Sequence, residues 1–252
     1  MQLKQNIATL KNLEHTSTTG DENHKNPTPH ELEIRRFQDA KAKAAEEQRA
    51  KEARAIEEAN IPRRYATASM ESIKKDMPTA GDWVTDCWMP VHGFVHRLDE
   101  HIAEGNGLIL YGSRGRMKTT LAVAVLRENL KRGRGGYFVP MCSLVDMLRS
   151  KWDRDATEAA AFDQRLRNTS LLVLDDMGAE GVEKDWVLNK IQSIITDRYN
   201  AMKSTIITTN LTKDELTDTY AGRIIDRLKE TTISIEFKGQ SFRRSLLSRM
   251  GD

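Results

Sequence analysis

Leu108-Ile109-Leu110-Tyr111-Gly112-Ser113-Arg114-Gly115-Arg116-Met117-Lys118-Thr119-Thr120 begins as an apolar strand, passes through a short polar loop and leaves in an amphipathic helix. Gly112, Lys118 and Thr119 fall in register with the phosphate-loop pattern G-x-x-x-x-G-K-[ST], but Met117 holds the glycine position before the lysine. In such a loop, successive backbone N–H groups and the positive end of the next helix surround phosphate oxygens. Gly112, Ser113, Arg114, Gly115, Arg116, Met117, Lys118, Thr119 and Thr120 are therefore the expected nucleotide-binding stretch. Lys118 is expected to reach the β and γ phosphates, and the Thr119 hydroxyl to hold Mg2+. Glycine serves in these loops because the backbone takes angles costly for other residues and comes close to the ligand. Met117 places a Cβ where that approach is tightest. An ordinary strand-to-helix turn followed by Lys-Thr looks much the same locally, so the rest of the chain must decide.

Downstream, Leu171-Leu172-Val173-Leu174-Asp175-Asp176 sets four apolar residues before two acids, the pattern of a buried strand whose carboxylates emerge at the sheet's carboxyl edge. Ligands bind at that edge in parallel sheets. Asp175 is expected to support Mg2+ directly or through water, and Asp176 to orient or deprotonate the attacking water. A further strand, Ser204 to Thr209, brings Asn210 to the same edge, where it suits the γ phosphate or the water; a turn or helix-capping asparagine is the plainer alternative. Arginines suit charge stabilisation at a transferring phosphoryl group, and Gly222-Arg223-Ile224-Ile225-Asp226-Arg227 and Gly239-Gln240-Ser241-Phe242-Arg243 supply them.

Outward from the loop, strands at Leu108–Tyr111, Gly136–Pro140, Ser170–Asp175, Ser204–Thr209 and Thr231–Phe237 alternate with helical patterns at Val91–Glu104, Leu121–Leu130 and Trp186–Met202. This alternation predicts an α/β core with a central parallel sheet. Residues 1–27 are polar, without apolar periodicity, and read as a disordered leader. Thr28-Pro29-His30-Glu31 forms a capping box, and the Ala-, Glu-, Lys- and Arg-rich run to about Ala59 reads as one long charged helix ended by Asn60-Ile61-Pro62. Its few large apolar residues, Leu32, Ile34, Phe37 and Ile56, cannot make a core. The arm over 28–60 is either a solvated connector or a partner-docking element. The core then spans 61–245 and a tail 246–252.

Length and composition bound the rest. The chain has 252 residues, room for one medium domain of about 150 to 200 residues and an appendage. Lys plus Arg number 39 against 37 Asp plus Glu, a net charge of +2, so overall charge does not indicate nucleic-acid binding. Basic residues around an aromatic, Arg149, Lys151 and Arg154 about Trp152, are the best local candidate for single-stranded DNA, although Leu144, Met147, Leu148 and Trp152 also fit the buried face of a helix. Lys131, Arg132 and Arg134 form a second basic turn that reads as solvated. The only cysteines, Cys87 and Cys142, are far apart and support neither a disulfide framework nor a zinc knuckle. His92, His96 and His101 lack acidic or thiolate partners and read as packing or solvated residues. No apolar run approaches the roughly 18 residues of a membrane span, and a cytoplasmic protein is expected.

Taken together, these segments resemble the AAA+ ATPases of the DnaC/IstB type, helicase loaders and transposition helper ATPases, over residues 61–245. Gly112–Thr119 matches the family's Walker A loop, Leu171–Asp176 its Walker B strand and Asn210 its sensor 1. By the same resemblance, Ile61-Pro62-Arg63-Arg64-Tyr65 through Ala68 looks like the segment whose backbone lies against the adenine, Arg227 fits the arginine finger, and Arg243 a sensor-2-like position. Arg223 is a second finger candidate, and Arg198 also matches the family, without an assigned task. The resemblance implies ATP/ADP and Mg2+ as ligands. It further implies a DnaB-type hexameric helicase as partner of residues 28–60, single-stranded DNA, and self-association into a spiral. Within the family, a charged helical extension before a minimal core fits a replicative helicase loader; a transposition helper or a non-hydrolysing helicase-binding adaptor are the alternatives. Two departures stand out, Met117 in the loop and Asp176 where the family has glutamate. The shorter acid retracts the carboxylate by one methylene, and a displacement of about 1 Å costs about 100-fold in rate, so slow hydrolysis is expected.

Overall fold

The computed structural model describes residues 28–76, 81–144, 146–147, 156–178, 185–239 and 241–242. The expected leader and tail, Arg243, and the Arg149, Lys151, Trp152 and Arg154 cluster lie outside these residues. The chain divides into two units, 1–48 and 49–252. Helix α1, Pro29–Glu58, crosses the division and has no buried residue. It starts where the capping box places it: the Thr28 N–H donates to Glu31 Oε2 at 2.7 Å and the Glu31 N–H to Thr28 Oγ1 at 3.3 Å. In the first unit Leu32 and Phe37 are exposed.

In the second unit the closing turns of α1 gain a role that its charged sequence hides. Ala55 and Ile56 pack on the core, and Glu52 pairs with Arg127 at 3.1 Å. Asn60, with φ 58°, ends the helix, and its side-chain amide donates to Phe138 O at 2.9 Å. Helix α2, Met70–Asp76, follows. The single helix expected over Val91–Glu104 is two, α3 Met89–His96 and α4 Leu98–Ala103. Arg97 leaves helical angles between them (φ −106°, ψ 30°), which turns Leu98, His101 and Ile102 into the core. His101 stacks on Phe94 with ring centroids 4.3 Å apart, a packing role.

The five strands are β1 Gly107–Tyr111, β2 Gly136–Pro140, β3 Leu171–Met177, β4 Ser204–Thr209 and β5 Thr232–Glu236. All pairs are parallel, in the order β2-β3-β4-β1-β5. Helices α5 Lys118–Lys131, α6 Ala156–Asn168, α7 Asp185–Asn200 and α8 Lys213–Thr231 connect them. Alternate strand residues enter two cores, one on each face. Leu108, Leu110, Val173 and Ile206 join Leu121 and Val125 of α5; Ile109, Leu172, Leu174 and Ile207 join Ile191 and Ile195 of α7 and Ile224 of α8. With both faces covered, Leu108–Leu110 of β1 and Leu171–Leu174 of β3 read as unbroken apolar runs. Strand order sets β1, β4 and β3 side by side, so the residues after each of them share one edge. Of the second basic turn, Arg132 and Arg134 are not free cations: both pair with Asp99. Among the described residues no helix is long and apolar enough to cross a membrane.

Candidate nucleotide site

The loop between β1 and α5 carries three left-handed residues: Gly112 (φ 125°), Gly115 (φ 81°) and Met117 (φ 66°, ψ 14°). At Gly112 a Cβ would lie 2.5 Å from Phe237 O, so this position demands glycine twice over. Met117 holds the same backbone geometry without that freedom, which costs about 1–2 kcal/mol. Its carbonyl accepts from the Leu121 N–H at 2.9 Å and starts α5, and its side chain packs against the core. The outer side of the loop is tied to the chain after β5. Arg116 Nη1 donates to Phe237 O at 2.7 Å, the Phe242 N–H donates to Gly115 O at 2.8 Å, and the Phe242 ring meets Trp83 edge-on at 5.0 Å.

Lys118 is buried, and its ammonium donates to Gly112 O at 2.6 Å, Ser113 O at 2.9 Å and Asn210 Oδ1 at 2.9 Å. Thr119 Oγ1 donates to Asp175 Oδ1 at 2.7 Å, and Thr208 Oγ1 donates to the same oxygen at 2.6 Å. Burial pushes the Asp175 carboxyl above the ordinary carboxylate range, against the lowering effect of these two hydroxyls. Asp176, left-handed at φ 59°, accepts from Asn210 Nδ2. Lys118, Thr119, Asp175, Asp176 and Asn210 thus form one connected group drawn from three adjacent strand ends. A hydroxyl and a carboxylate in direct contact are hard oxygen donors of the kind Mg2+ takes. Among the described residues no set of three His, Cys, Asp or Glu side chains could hold a metal alone. That donor set fits an ion completed by phosphate oxygens and water.

These residues face a cavity of ≈ 1140 Å³, lined by Arg114 through Thr120, Asp175, Asp176, Thr208, Asn210, Ser241 and Phe242, and on the lead-in side by Arg64, Tyr65 and Lys75. Gly112 and Ser113 lie behind it, offering carbonyls to Lys118. Ala68, expected against the adenine, lies just behind this lining. It is 7% exposed and absent from the lining; its N–H donates to Tyr65 O at 2.9 Å and its carbonyl accepts from Arg127 Nη1 at 2.8 Å. With both backbone groups taken, this segment meets the cavity through Arg64 and Tyr65 instead. Lys75 and Thr208 were not among the expected site residues. Lys75 sits on a helix without a motif, and Thr208 is one of four hydroxyl residues in Ser204–Thr209, so neither stood out in the sequence.

Arg227 is elsewhere. Helix α8 starts beside Asn210 with a capping box of Thr212 and Glu215 and runs back under the sheet. Arg227 lies about 20 Å along it at 1.5 Å per residue, beside Gly105 and Lys203, which precede β1 and β4. Its Nη1 donates to Thr196 Oγ1 at 2.8 Å and its guanidinium lies 5.8 Å from the Tyr199 ring centroid. It cannot reach the cavity of its own chain, and the side chain of Arg223 lies outside the described residues. Arg198 gains a task. It is 1% exposed and donates to the carbonyls of Leu166, Arg167, Thr169 and Ser204 and to Thr205 Oγ1, tying the end of α6 to the start of β4. Of the expected DNA segment, Leu144 is buried in the core and Met147 packs partly against it.

Comparison with known proteins follows the same lines. The family described as IstB-like ATP binding protein matches residues 97–249, more than half of the chain. The replicative helicase loader DnaC of Escherichia coli (strain K12) is 25% identical over 151 residues, 60% of each protein. The replicative helicase loader DnaI of Bacillus subtilis (strain 168) is 26% identical over 153 residues, 56% of this chain and 48% of that protein. The chain therefore spans less than two thirds of the length of these relatives. The crystal structure of the DnaC helicase loader shares 31% identity and superposes with a TM-score of 0.61, covering 70% of this chain and all of that one. The parallel core with its phosphate loop is an AAA+ fold. The chain belongs to the family of IstB-like ATP binding proteins.

Proposed function

We propose that this chain is an ATP-dependent loader that places a DnaB-type hexameric helicase on single-stranded DNA during replication initiation. The observation that carries this reading is the joined group of Lys118, Thr119, Asp175, Asp176 and Asn210 at one cavity, in a chain whose relatives include two replicative helicase loaders. ATP and ADP would bind with their phosphates on the loop N–H groups and Lys118. Mg2+, held by Thr119 and Asp175, would neutralise phosphate charge. Asp176, steered by Asn210, would orient the attacking water. Arg227 would serve the cavity of a neighbouring subunit in a spiral. Arg243 would serve as the sensor-2-like arginine of the same site. Turnover would be slow, because Met117 and Asp176 both depart from the family pattern.

Residues 28–60 would dock the helicase, with exposed Leu32 and Phe37 as the apolar anchors on a charged helix. Single-stranded DNA would meet the segment holding Arg149, Lys151, Trp152 and Arg154. The test is co-purification with the replicative helicase from the same source, with the full chain and with a chain lacking residues 1–48, which keeps the turns of α1 that pack on the core. The full chain should retain helicase and the shortened one should not. No helicase on the full chain would end the loader reading; retention without the arm would end only its docking role. The left-handed Met117 favours one second reading, a non-hydrolysing adaptor that binds helicase without using ATP. Failure of both the native chain and Met117→Gly to bind ATP would select it.

A further inference from the structure

The two acids of the site sit on an irregularity of the sheet. In the β3–β4 pair, Leu174 stands opposite Ile207, and the next partners are Met177 and Thr209. Two residues, Asp175 and Asp176, therefore face one, Thr208. This is a β-bulge, which bends a strand and re-aims its side chains at the expense of local ladder bonds. Asp176 takes up the extra length in the left-handed region. Its N–H, out of step with the ladder, donates instead to Thr208 Oγ1 at 2.9 Å. The same hydroxyl gives its hydrogen to Asp175 Oδ1 at 2.6 Å. Thr208 is 1% exposed and stands between Ile207 and Thr209, both buried. Packing alone asks for no hydroxyl at this position.

We infer that Thr208 is a positioning residue for both acids, its one hydroxyl fixing the backbone of Asp176 and one carboxylate oxygen of Asp175 so that the pair faces the cavity in register. The inference rests on the nucleotide reading of this cavity. A hydroxyl both accepts and donates at one atom, which valine, of the same shape, cannot do. Removing it frees the Asp176 N–H inside the protein and releases the bulge toward regular pairing. Regular pairing would turn Asp176 by one register step, away from Asn210. Asp175 would lose one of its two hydroxyl donors and keep only Thr119, itself the expected Mg2+ ligand.

Thr208→Val keeps the shape and removes the hydroxyl; Thr208→Ser keeps the hydroxyl. ATP turnover and ADP affinity, with and without Mg2+, are measured across pH for the native chain and both variants, with circular dichroism to check folding. The valine variant is expected to lose turnover on the order of 100-fold, the cost of displacing a reacting group by about 1 Å, with Mg2+-free ADP affinity unchanged. Its gain in ADP affinity on adding Mg2+ is expected to shrink, because Asp175 is then oriented by Thr119 alone. The serine variant should recover both. A valine variant with native turnover and native Mg2+ dependence overturns the inference, as does a folded serine variant that recovers neither. If the native chain binds but does not turn over ATP, the Mg2+ dependence alone decides. A native chain that binds no nucleotide overturns the reading of the cavity itself and this inference with it. Should the valine variant fail to fold, Thr208→Ala replaces it in the same comparison.

Discussion

Met117 carries two opposed effects in one residue. Its left-handed backbone costs about 1–2 kcal/mol, while its side chain packs against the core beneath the loop. Met117→Gly removes both. Thermal stability should therefore change by no more than about 1 kcal/mol, whereas ATP affinity should rise because the Cβ nearest the phosphates is gone; calorimetric titration and thermal melts of the two proteins would check this. Asp175 gives a pH prediction. Its pKa is raised by burial, so the folded state holds this proton more tightly than the unfolded chain. The stability it contributes is present in acid and is lost as pH rises through the folded pKa. Mg2+ requires the ionised form, so the Mg2+-dependent part of ADP affinity should disappear on acidification at a pH above the ordinary carboxylate range, measurable by titration from pH 4 to pH 8. Lys118, Thr119, Asp175 and Asn210 were legible because their residue types follow strands at motif spacing. The left-handed state of Asp176 was not, since aspartate gives no more warning of it than any other turn-tolerant residue.

At the scale of elements, the strands were readable to within two residues, most plainly β1 and β3, whose Leu108–Leu110 and Leu171–Leu174 are apolar runs buried on both faces. The bulge in β3 was invisible, because a continuous run of apolar residues has no alternation for an inserted residue to break. The break at Arg97 was hidden for a similar reason: apolar residues fit helical spacing on both sides of it. Arg198 shows the converse, a helix charge to which the sequence assigns no task and which the fold buries. Burial draws its pKa down, and its five acceptors retain the charge. Arg198→Met should destabilise the fold by at least about 3 kcal/mol, since the carbonyls at the end of α6 and the start of β4 lose their donor. Arg198→Lys should rescue little, because an ammonium cannot span acceptors on two elements. Urea unfolding of the three proteins gives the comparison.

For the whole molecule, parallel strand order converts residues far apart in sequence into one site at one edge of the sheet, and the same order sends Arg227 to the other edge. The loop, acids and Asn210 stand at the carboxyl ends of β1, β3 and β4, while Arg227 lies beside the residues that precede β1 and β4. A sequence lists both among motifs of one family and says nothing of the thickness between them. That separation has a kinetic consequence. If Arg227 completes a site, the site is another molecule's, and hydrolysis is a property of encounters. ATP turnover per chain should then climb with protein concentration and level off once neighbours are in place. Mixing in Arg227→Ala chains, each with an intact cavity but no finger to lend, should lower the plateau in proportion to their share. A rate per chain that stays constant on dilution would place the whole reaction within a single molecule and leave Arg227 to its contacts with Thr196 and Tyr199.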